Sequence, residues 1–353
     1  MKIGITYDLK SRAMPTPPSA LAGQTGLESR DVGMPAPIHE AHAPDDTEEE
    51  FDSPHTIEAI AAVLRGRGHT VVLLGDGREF VEKAIAERPD FVFNFAEGHG
   101  ISRSREARVP AALELLGVPY TGSDPFTMAV TLDKQCAKKL VAAAGVAVPR
   151  DFALAADAPV SSIPRERLRF PLVVKPAWEG SSKGIRNKSF VQTAAELPDV
   201  IASLRREHPQ TILLEEYIAG LEVTVGLLGN DPPEVLGIMS VEPNQPASHF
   251  IYSLEIKREY KRLVTYRCPA ALPAKVLAAV EQSARSVFSE LACRDVARID
   301  FRVRDGIPYF LEVNPLPGLN PDDSDLVIMS RHVGWSYDRL VATILDAAIA
   351  RNR

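Results

Sequence analysis

The texture of the strands changes once along this 353-residue chain, and that change restricts the available folds more than any other feature. Up to about residue 125, apolar β-leaning runs alternate with helical segments. Lys2–Tyr7, residues 70–74 and Phe91–Phe95 read as strands. Ser53-Pro54 reads as an N-cap and first helical position, followed by Ile57, Ile60, Ala61 and Leu64 at helical spacing and by a stop at Gly66 and Gly68. Residues 79–87 suit a second helix. Strands separated by helices predict a parallel sheet with helices on both faces. A helical segment then runs from 127 to 144, and Val146-Ala147-Val148-Pro149 ends it. Beyond it the strands read as antiparallel, at 171–175, 211–218, 222–229 and 234–241. A helix at 274–292 follows, then a hairpin of 297–304 and 309–313 turning on Asp305-Gly306, and a closing amphipathic helix at 337–350. The fold class expected is α/β, passing to α+β in the C-terminal part.

Residues 9 to 52 fit neither texture. They are rich in Pro, Ala, Gly and acid, and end near the run Glu48-Glu49-Glu50. A loop of this length is usually functional or disordered, so the reading is a mobile segment, a flap over a substrate, with no legible fixed structure. His39 and His42 within it read as solvated loop histidines rather than metal ligands.

Charge and composition exclude several functions. With 40 Lys+Arg against 47 Asp+Glu the net charge is −7, which gives no broad basic surface for nucleic acid. No apolar run approaches the ~20 residues of a membrane span, and the apolar N-terminal stretch is too short for a signal-peptide core. Three widely spaced cysteines rule out a disulfide scaffold or a CxxC zinc site. A soluble cytoplasmic protein is the expectation.

Three segments carry chemistry. In the first, Phe170-Pro-Leu-Val-Val-Lys175-Pro-Ala-Trp178-Glu179-Gly180-Ser181-Ser182-Lys183-Gly184-Ile185, a strand delivers a lysine directly into a Gly/Ser-rich turn. Glycines admit close backbone approach, so successive N–H groups can cradle phosphate oxygens beside the lysine charge. The lysine precedes the glycines, so this is not a Walker A loop; a plain Gly-rich hairpin is the simpler alternative. In the second, Glu215-Glu216-Tyr217-Ile218-Ala-Gly220-Leu221-Glu222, two carboxylates and a turn glycine join two strands. Backbone groups there can read an adenine edge and a following acid can take ribose hydroxyls, although alone a solvated acidic turn is the better reading. In the third, Arg298-Ile-Asp300 and Glu312-Val-Asn314 put like-facing pairs on two strands, because residues two apart share a face. If the hairpin pairs them, their hard oxygens suit Mg²⁺ held against nucleotide phosphates.

Taken in this order, the segments resemble the ATP-grasp superfamily, and within it the D-alanine–D-alanine ligase family. Val118-Pro119-Tyr120-Thr121-Gly122-Ser123 and Leu132-Asp133-Lys134 are similar to that family's junction between N-terminal and central domains. The resemblance implies a Rossmann-like N-terminal domain at 1–126 and two ATP-grasp subdomains at 127–220 and 221–353. It implies that Lys134, Lys175 and Ser182 meet ATP phosphates, that Glu215, Glu216, Tyr217 and Ile218 form the adenine hinge, and that Glu222 takes the ribose. Lys257 would reach the terminal phosphates from a mobile loop. Asp300, Glu312 and Asn314 would hold Mg²⁺ or Mn²⁺, and Arg298 with the Gly318 amide would stabilise a tetrahedral oxyanion. The activity implied is ATP-dependent joining of a small-molecule carboxylate to an amine through an acylphosphate. A homodimer is expected by analogy only.

Substrate positions depart from the family. Its early Gly/Ser/Glu motif is replaced by Asp8 and the 9–52 insertion. The tyrosine after the lid lysine falls at Arg258. Ser181 matches the serine of a hydrogen-bonded triad whose partners are missing. The serine that binds the acceptor's carboxylate aligns near Asp323 and Ser324, among acids that would repel a carboxylate and favour a cationic or hydroxylated acceptor. Arg103 and Arg105 follow a strand's carboxyl end, where α/β sheets place ligands, and could hold an anionic donor. The reading is therefore a ligase with substrates other than two D-alanines. A true D-alanine–D-alanine ligase of cell-wall synthesis, a phosphotransferase and a non-catalytic nucleotide-binding regulator are the alternatives.

Overall fold

The computed structural model describes residues 1–10 and 44–353; His39, His42 and most of the insertion lie outside the described residues. β1 (Lys2–Tyr7), α1 (Pro54–Gly66), β2 (Thr70–Gly75), α2 (Gly77–Glu87) and β3 (Phe91–Phe95) build a parallel sheet of order β2-β1-β3, followed by α3 (Arg108–Leu116). Pro54 sits in the first turn of α1, and the Ser53 hydroxyl accepts from the Thr56 amide at 3.2 Å, the cap its sequence announces. Both faces of the sheet are covered. Ile3, Ile5 and Phe93 pack toward α1, while Leu74, Val92, Phe80 and Leu113 form a separate cluster with α2 and α3.

The expected single helix from 127 to 144 is two helices, α4 (Pro125–Leu132) and α5 (Lys134–Ala143). Asp133 breaks it: its backbone is extended and its carboxylate accepts the Cys136 amide at 3.0 Å, so the side chain competes with continuation of the helix. The break puts Lys134 at the first turn of α5 and frees its direction from α4.

Next come β4 (Asp151–Leu154), β5 (Leu172–Pro176), β6 (Phe190–Val191), α6 (Leu197–Glu207) and β7 (Ile212–Glu216), an antiparallel sheet of order β4-β7-β5-β6. The last sheet has order β10-β9-β8-β11-β12. It comprises β8 (Leu221–Leu228), β9 (Glu234–Pro243), then α7 (Leu254–Arg258) and α8 (Tyr260–Leu263) before β10 (Val264–Arg267). After α9 (Ala274–Glu290), β11 (Val296–Arg304) and β12 (Ile307–Asn314) close the hairpin. Asp305 and Gly306 have φ of 54° and 78°, the pair of positive values that a two-residue turn with the strands' own twist requires. A register shift between Asp300 and Phe301 leaves Asp300 opposite Glu312 and Arg298 opposite Asn314.

Helices α10 (Asp325–His332) and α11 (Tyr337–Arg351) cover one face of this sheet, and α9 with α5 cover the other. Leu340, Ile344 and Leu345 of α11 share one core with Ile3 and Ile57, so the final helix fastens the first sheet to the last. Among the described residues no helix is long and apolar enough to cross a membrane.

One paired position lets α10 approach. Gly226 of β8 faces Gly237 of β9, and a Cβ on either would come within 2.9 or 3.0 Å of Met329 in α10. Overpacking of this kind costs about 1–3 kcal/mol, so Gly237→Val is expected to lower the denaturant midpoint accordingly, read by far-UV circular dichroism. An unchanged midpoint would show that α10 does not rest on the glycine pair.

Candidate active site

Two adjoining cavities lie between the sheets. The first is bounded by β5 and its following loop, by β7 and the turn to β8, by α7, and by β11 and β12. Of the residues singled out in the sequence, Lys175, Ser181, Ser182, Glu215, Glu216, Tyr217, Ile218, Glu222, Lys257, Arg298, Asp300 and Glu312 line it. The second takes Lys134, Asn314 and Gly318. Ser181, Arg298 and Glu312 line both, so the two spaces meet there.

Buried cations and acids pair across the elements. Lys175, from β5, reaches Glu215 Oε1 of β7 at 2.9 Å, and the other carboxylate oxygen lies 2.5 Å from Lys138 Nζ in α5. Burial opposes both charges, yet Lys138 and Lys175 hold the Glu215 carboxyl below its ordinary range, and Glu215 with Glu312 holds Lys175 above its own. Lys134 stands 3.1 Å from Glu312. Glu312 is buried, which alone would raise it, but Lys134, Lys175 and Arg298 draw it down to about 2. Asp300 behaves oppositely. Burial pushes it up, Arg298 at 3.0 Å pulls it down, and the facing Glu312 pushes it up again, for a net rise. Asn314 donates to Asp300 at 3.3 Å.

The turn after β7 is organised by a residue that sequence reasoning missed. Arg302 bonds Glu222 at 2.9 Å, donates to the Ile218 carbonyl at 3.0 Å and lies 4.9 Å over the Tyr217 ring. Its spacing from Arg298 and Asp300 put it on their face of the strand, which was the available signal. Glu216 is engaged by Arg304 at 3.1 Å.

Ser181 and Ser182 have φ of 47° and 60°, so the Gly/Ser loop turns its backbone sharply even without glycine at those positions. Ser182 donates to the Tyr252 carbonyl at 3.1 Å, and Leu254 of α7 donates to the Ile185 carbonyl at 2.9 Å. The loop and the short helix carrying Lys257 are thus stitched together. Lys257 makes no ion pair with another described residue.

Several sequence expectations need correction. Asp323 is exposed and lines neither cavity, as is Arg103, which pairs with Asp133 at 3.3 Å. Ser324 caps α10 and accepts from the Asn320 amide at 2.8 Å. The start of α10 instead turns Asp325 toward Arg298, 3.6 Å away, because helical geometry separates neighbours by 100°. Arg105 is buried against Glu50 at 2.6 Å and is not free for a donor anion. Trp178 gives Arg105 its carbonyl, and His249 stacks on Phe190 at 3.8 Å.

The end of the insertion also departs from expectation. Residues 44–52 form a turn that carries carboxylates onto the Gly/Ser loop. Glu50 accepts from the Gly180 amide at 2.6 Å and from Lys183 at 2.9 Å, and a Cβ on Gly180 would lie 2.7 Å from its Oε1. Asp46 accepts from the Gly184 amide at 2.9 Å, and Arg258 of α7 bonds Asp45 at 2.8 Å and Glu49 at 2.9 Å. The acids answer the loop's amides and cations, a match invisible where the partners are more than a hundred residues apart.

With this geometry in place, comparison with known proteins decides the family. A family model described as the D-ala D-ala ligase C-terminus matches residues 140–346. The chain belongs to the D-alanine–D-alanine ligase family. Its fold is ATP-grasp, and it is an ATP-dependent ligase of the class that forms C–N bonds. Among related sequences, an uncharacterised protein of Sinorhizobium fredii is 35% identical over 305 residues, covering 83% of this chain and 87% of that one. A D-alanine–D-alanine ligase of Moorella thermoacetica is 33% identical over 300 residues, covering 82% and 92%. The structure of the Bacillus anthracis D-alanine–D-alanine ligase complexed with ATP superposes with a TM-score of 0.71 at 23% identity, over 99% of this chain and 98% of that one. The VanG D-Ala:D-Ser ligase of Enterococcus faecalis gives 0.68 at 21%, over 98% and 99%.

Within this ATP-grasp chain, Asp46 provides a pH test of the acidic turn. Burial would raise its carboxyl, but His208, the Gly184 amide and Arg186 bring it to about 2, below the ordinary 3.8. A carboxyl depressed by folding contributes stability above its unfolded value and loses it as pH falls through the folded one. Asp46→Asn is expected to cost about 1–2 kcal/mol at pH 7, with the difference shrinking between pH 4 and pH 2 in denaturant titrations. A pH-independent difference would show that the ion pairs do not hold the turn.

Proposed function

We propose that this ligase joins a carboxylate to an amine other than a second D-alanine, the nucleotide occupying the first cavity and the joined groups the second. The observation that carries the reading is the meeting of both cavities at Ser181, Arg298 and Glu312. A phosphoryl donor in one and a carboxylate in the other would come together at that point.

In this reading Lys134, Lys175, Ser182 and Lys257 bind phosphate oxygens, Glu215–Ile218 take the base and Glu222 takes the ribose. Asp300, Glu312 and Asn314 fit a divalent cation, Mg²⁺ or Mn²⁺: their oxygens are hard donors on paired strands, and the rise in Asp300 caused by burial and by Glu312 is the repulsion a cation relieves. When bound, that cation supplies neutralisation of phosphate charge. A carboxylate is a poor electrophile; transfer of the terminal phosphoryl makes it an acylphosphate. The amine then attacks the acyl carbon, the C–N bond forms and the C–O bond to phosphate breaks. Arg298 and the Gly318 amide face the oxyanion of that step. The loop at 181–184 and α7 exclude water, which would otherwise hydrolyse the acylphosphate.

The second cavity supports a cationic acceptor. Asp52, Glu97 and Glu106 line it, and none forms an ion pair with a described residue. Burial raises all three: Asp52 to about 8, and Glu106 to about 7, although Arg105 acts to lower the latter. Glu97 is pushed well up by burial and then by Glu106. Raised in this way, the three are largely protonated near neutral pH; an incoming ammonium group would favour their charged forms, and an acceptor's carboxylate would not.

Phosphate release from ATP across a panel of amino acids and amines tests the reading. Magnesium-dependent turnover with a carboxylate and a non-zwitterionic amine is expected, while strong turnover with D-alanine alone overturns the substrate assignment. Arg298→Lys is expected to lose about 10²–10³ in turnover while a nucleotide-induced thermal shift persists; equal turnover would remove Arg298 from the oxyanion role.

A further inference from the structure

A second polar cluster lies at the carboxyl edge of the first sheet. Asp8 directly follows β1, Asp76 directly follows β2, and His99 lies in the loop after β3. Parallel strands aim these three loops the same way, and the carboxyl edge is where open α/β sheets bind ligands. One ligand atom from each of the three residues lies within 4.8 Å of the other two.

The side chain of Asp8 is only 1% exposed. Its Oδ2 accepts the Gly98 amide at 2.9 Å, while its Oδ1 has no hydrogen-bond partner. That orphan oxygen points into the cluster, 3.2 Å from His99 Nε2, and Asp76 Oδ2 lies 2.9 Å from the same nitrogen. A buried carboxylate oxygen that makes no hydrogen bond and faces only an imidazole and a second carboxylate is costly. Two donors bound to one ion at about 2.0–2.1 Å stand roughly 2.9–3.4 Å apart in octahedral or tetrahedral arrangements, which the observed spacings match.

The loops are built to hold these positions. Gly98 has φ of 80°, and a Cβ there would lie 2.7 Å from the Arg105 carbonyl, so the chain passes Asp8 along a path that only glycine follows easily. The His99 ring meets Phe51 edge-on at 4.6 Å, and the Asp52 amide donates to the Asp8 carbonyl at 2.9 Å.

We infer that Asp8, Asp76 and His99 form a binding site for a first-row divalent cation such as Zn²⁺, separate from the nucleotide cleft. Two carboxylates and an imidazole are borderline-hard donors that such an ion accepts, and the three leave room for water. The ion neutralises the apposed carboxylates and fixes His99 against Phe51. It thereby steadies the end of the acidic turn that reaches the Gly/Ser loop.

Calorimetric titration of the untagged full chain with Zn²⁺, without nucleotide, tests this site, with metal content after dialysis as the second readout. One equivalent is expected. His99→Ala and Asp76→Asn, both at partly exposed side chains, are each expected to weaken binding at least about tenfold, while Asp300→Asn leaves it intact. Absence of Zn²⁺ uptake by the unaltered chain, undiminished uptake by either variant, or loss of uptake in Asp300→Asn would each overturn the assignment.

Discussion

Cations gathered to meet phosphate and carboxylate oxygens must be kept from repelling one another before those ligands arrive, and the cleft meets that constraint by giving each cation a neighbouring acid. Glu215 of β7 stands between Lys175 of β5 and Lys138 of α5. Glu312 of β12 takes Lys134 of α5, and Asp300 takes Arg298 within β11. Since burying an unpaired charge costs several kcal/mol, Lys134 and Lys138 depend on the second and third sheets being assembled around α5, where Glu312 and Glu215 meet them. The same pairs that stabilise the fold leave their oxygens and ammonium groups facing one space.

The acidic turn at 44–52 extends this logic to the first sheet. Its backbone returns to β1 through the Asp52–Asp8 hydrogen bond, while Glu50 and Asp46 satisfy amides of the Gly/Ser loop and Arg258 ties it to α7. The turn thus links the end of β1, the Gly/Ser loop and α7 through one set of hydrogen bonds and ion pairs. This arrangement fixes the Gly/Ser loop relative to the insertion's end, since charge-assisted hydrogen bonds to backbone amides are directional and short.

Much of this was readable wherever the partners are local. The hairpin turning on Asp305-Gly306 places Arg298 opposite Asn314 and Asp300 opposite Glu312, as the two-residue periodicity and turn residues implied. The Ser53-Pro54 cap and the Lys175 strand with its Gly/Ser loop were equally local. The break at Asp133 was not read, because a single cap interaction overrode helical propensity over eighteen residues. Strand β4 and helices α6 and α10 were also passed over, their apolar patterns being short. The acidic run at 48–50 was legible as charge but not as structure.

By itself the sequence determined the order of the elements, the family they belong to and the residue types needed to handle ATP. These depend on short-range chemistry: side-chain periodicity, turn conformations and the spacing of motifs. Only the tertiary structure decided that Asp325 rather than Asp323 faces Arg298, that Arg105 is held by Glu50, and that Asp52, Glu97 and Glu106 line the second cavity alongside Lys134 and Arg298. Those outcomes depend on which buried charges find partners across long separations in the chain, and electrostatic pairing in a low-dielectric interior is set by distance in space, of which sequence separation is no measure.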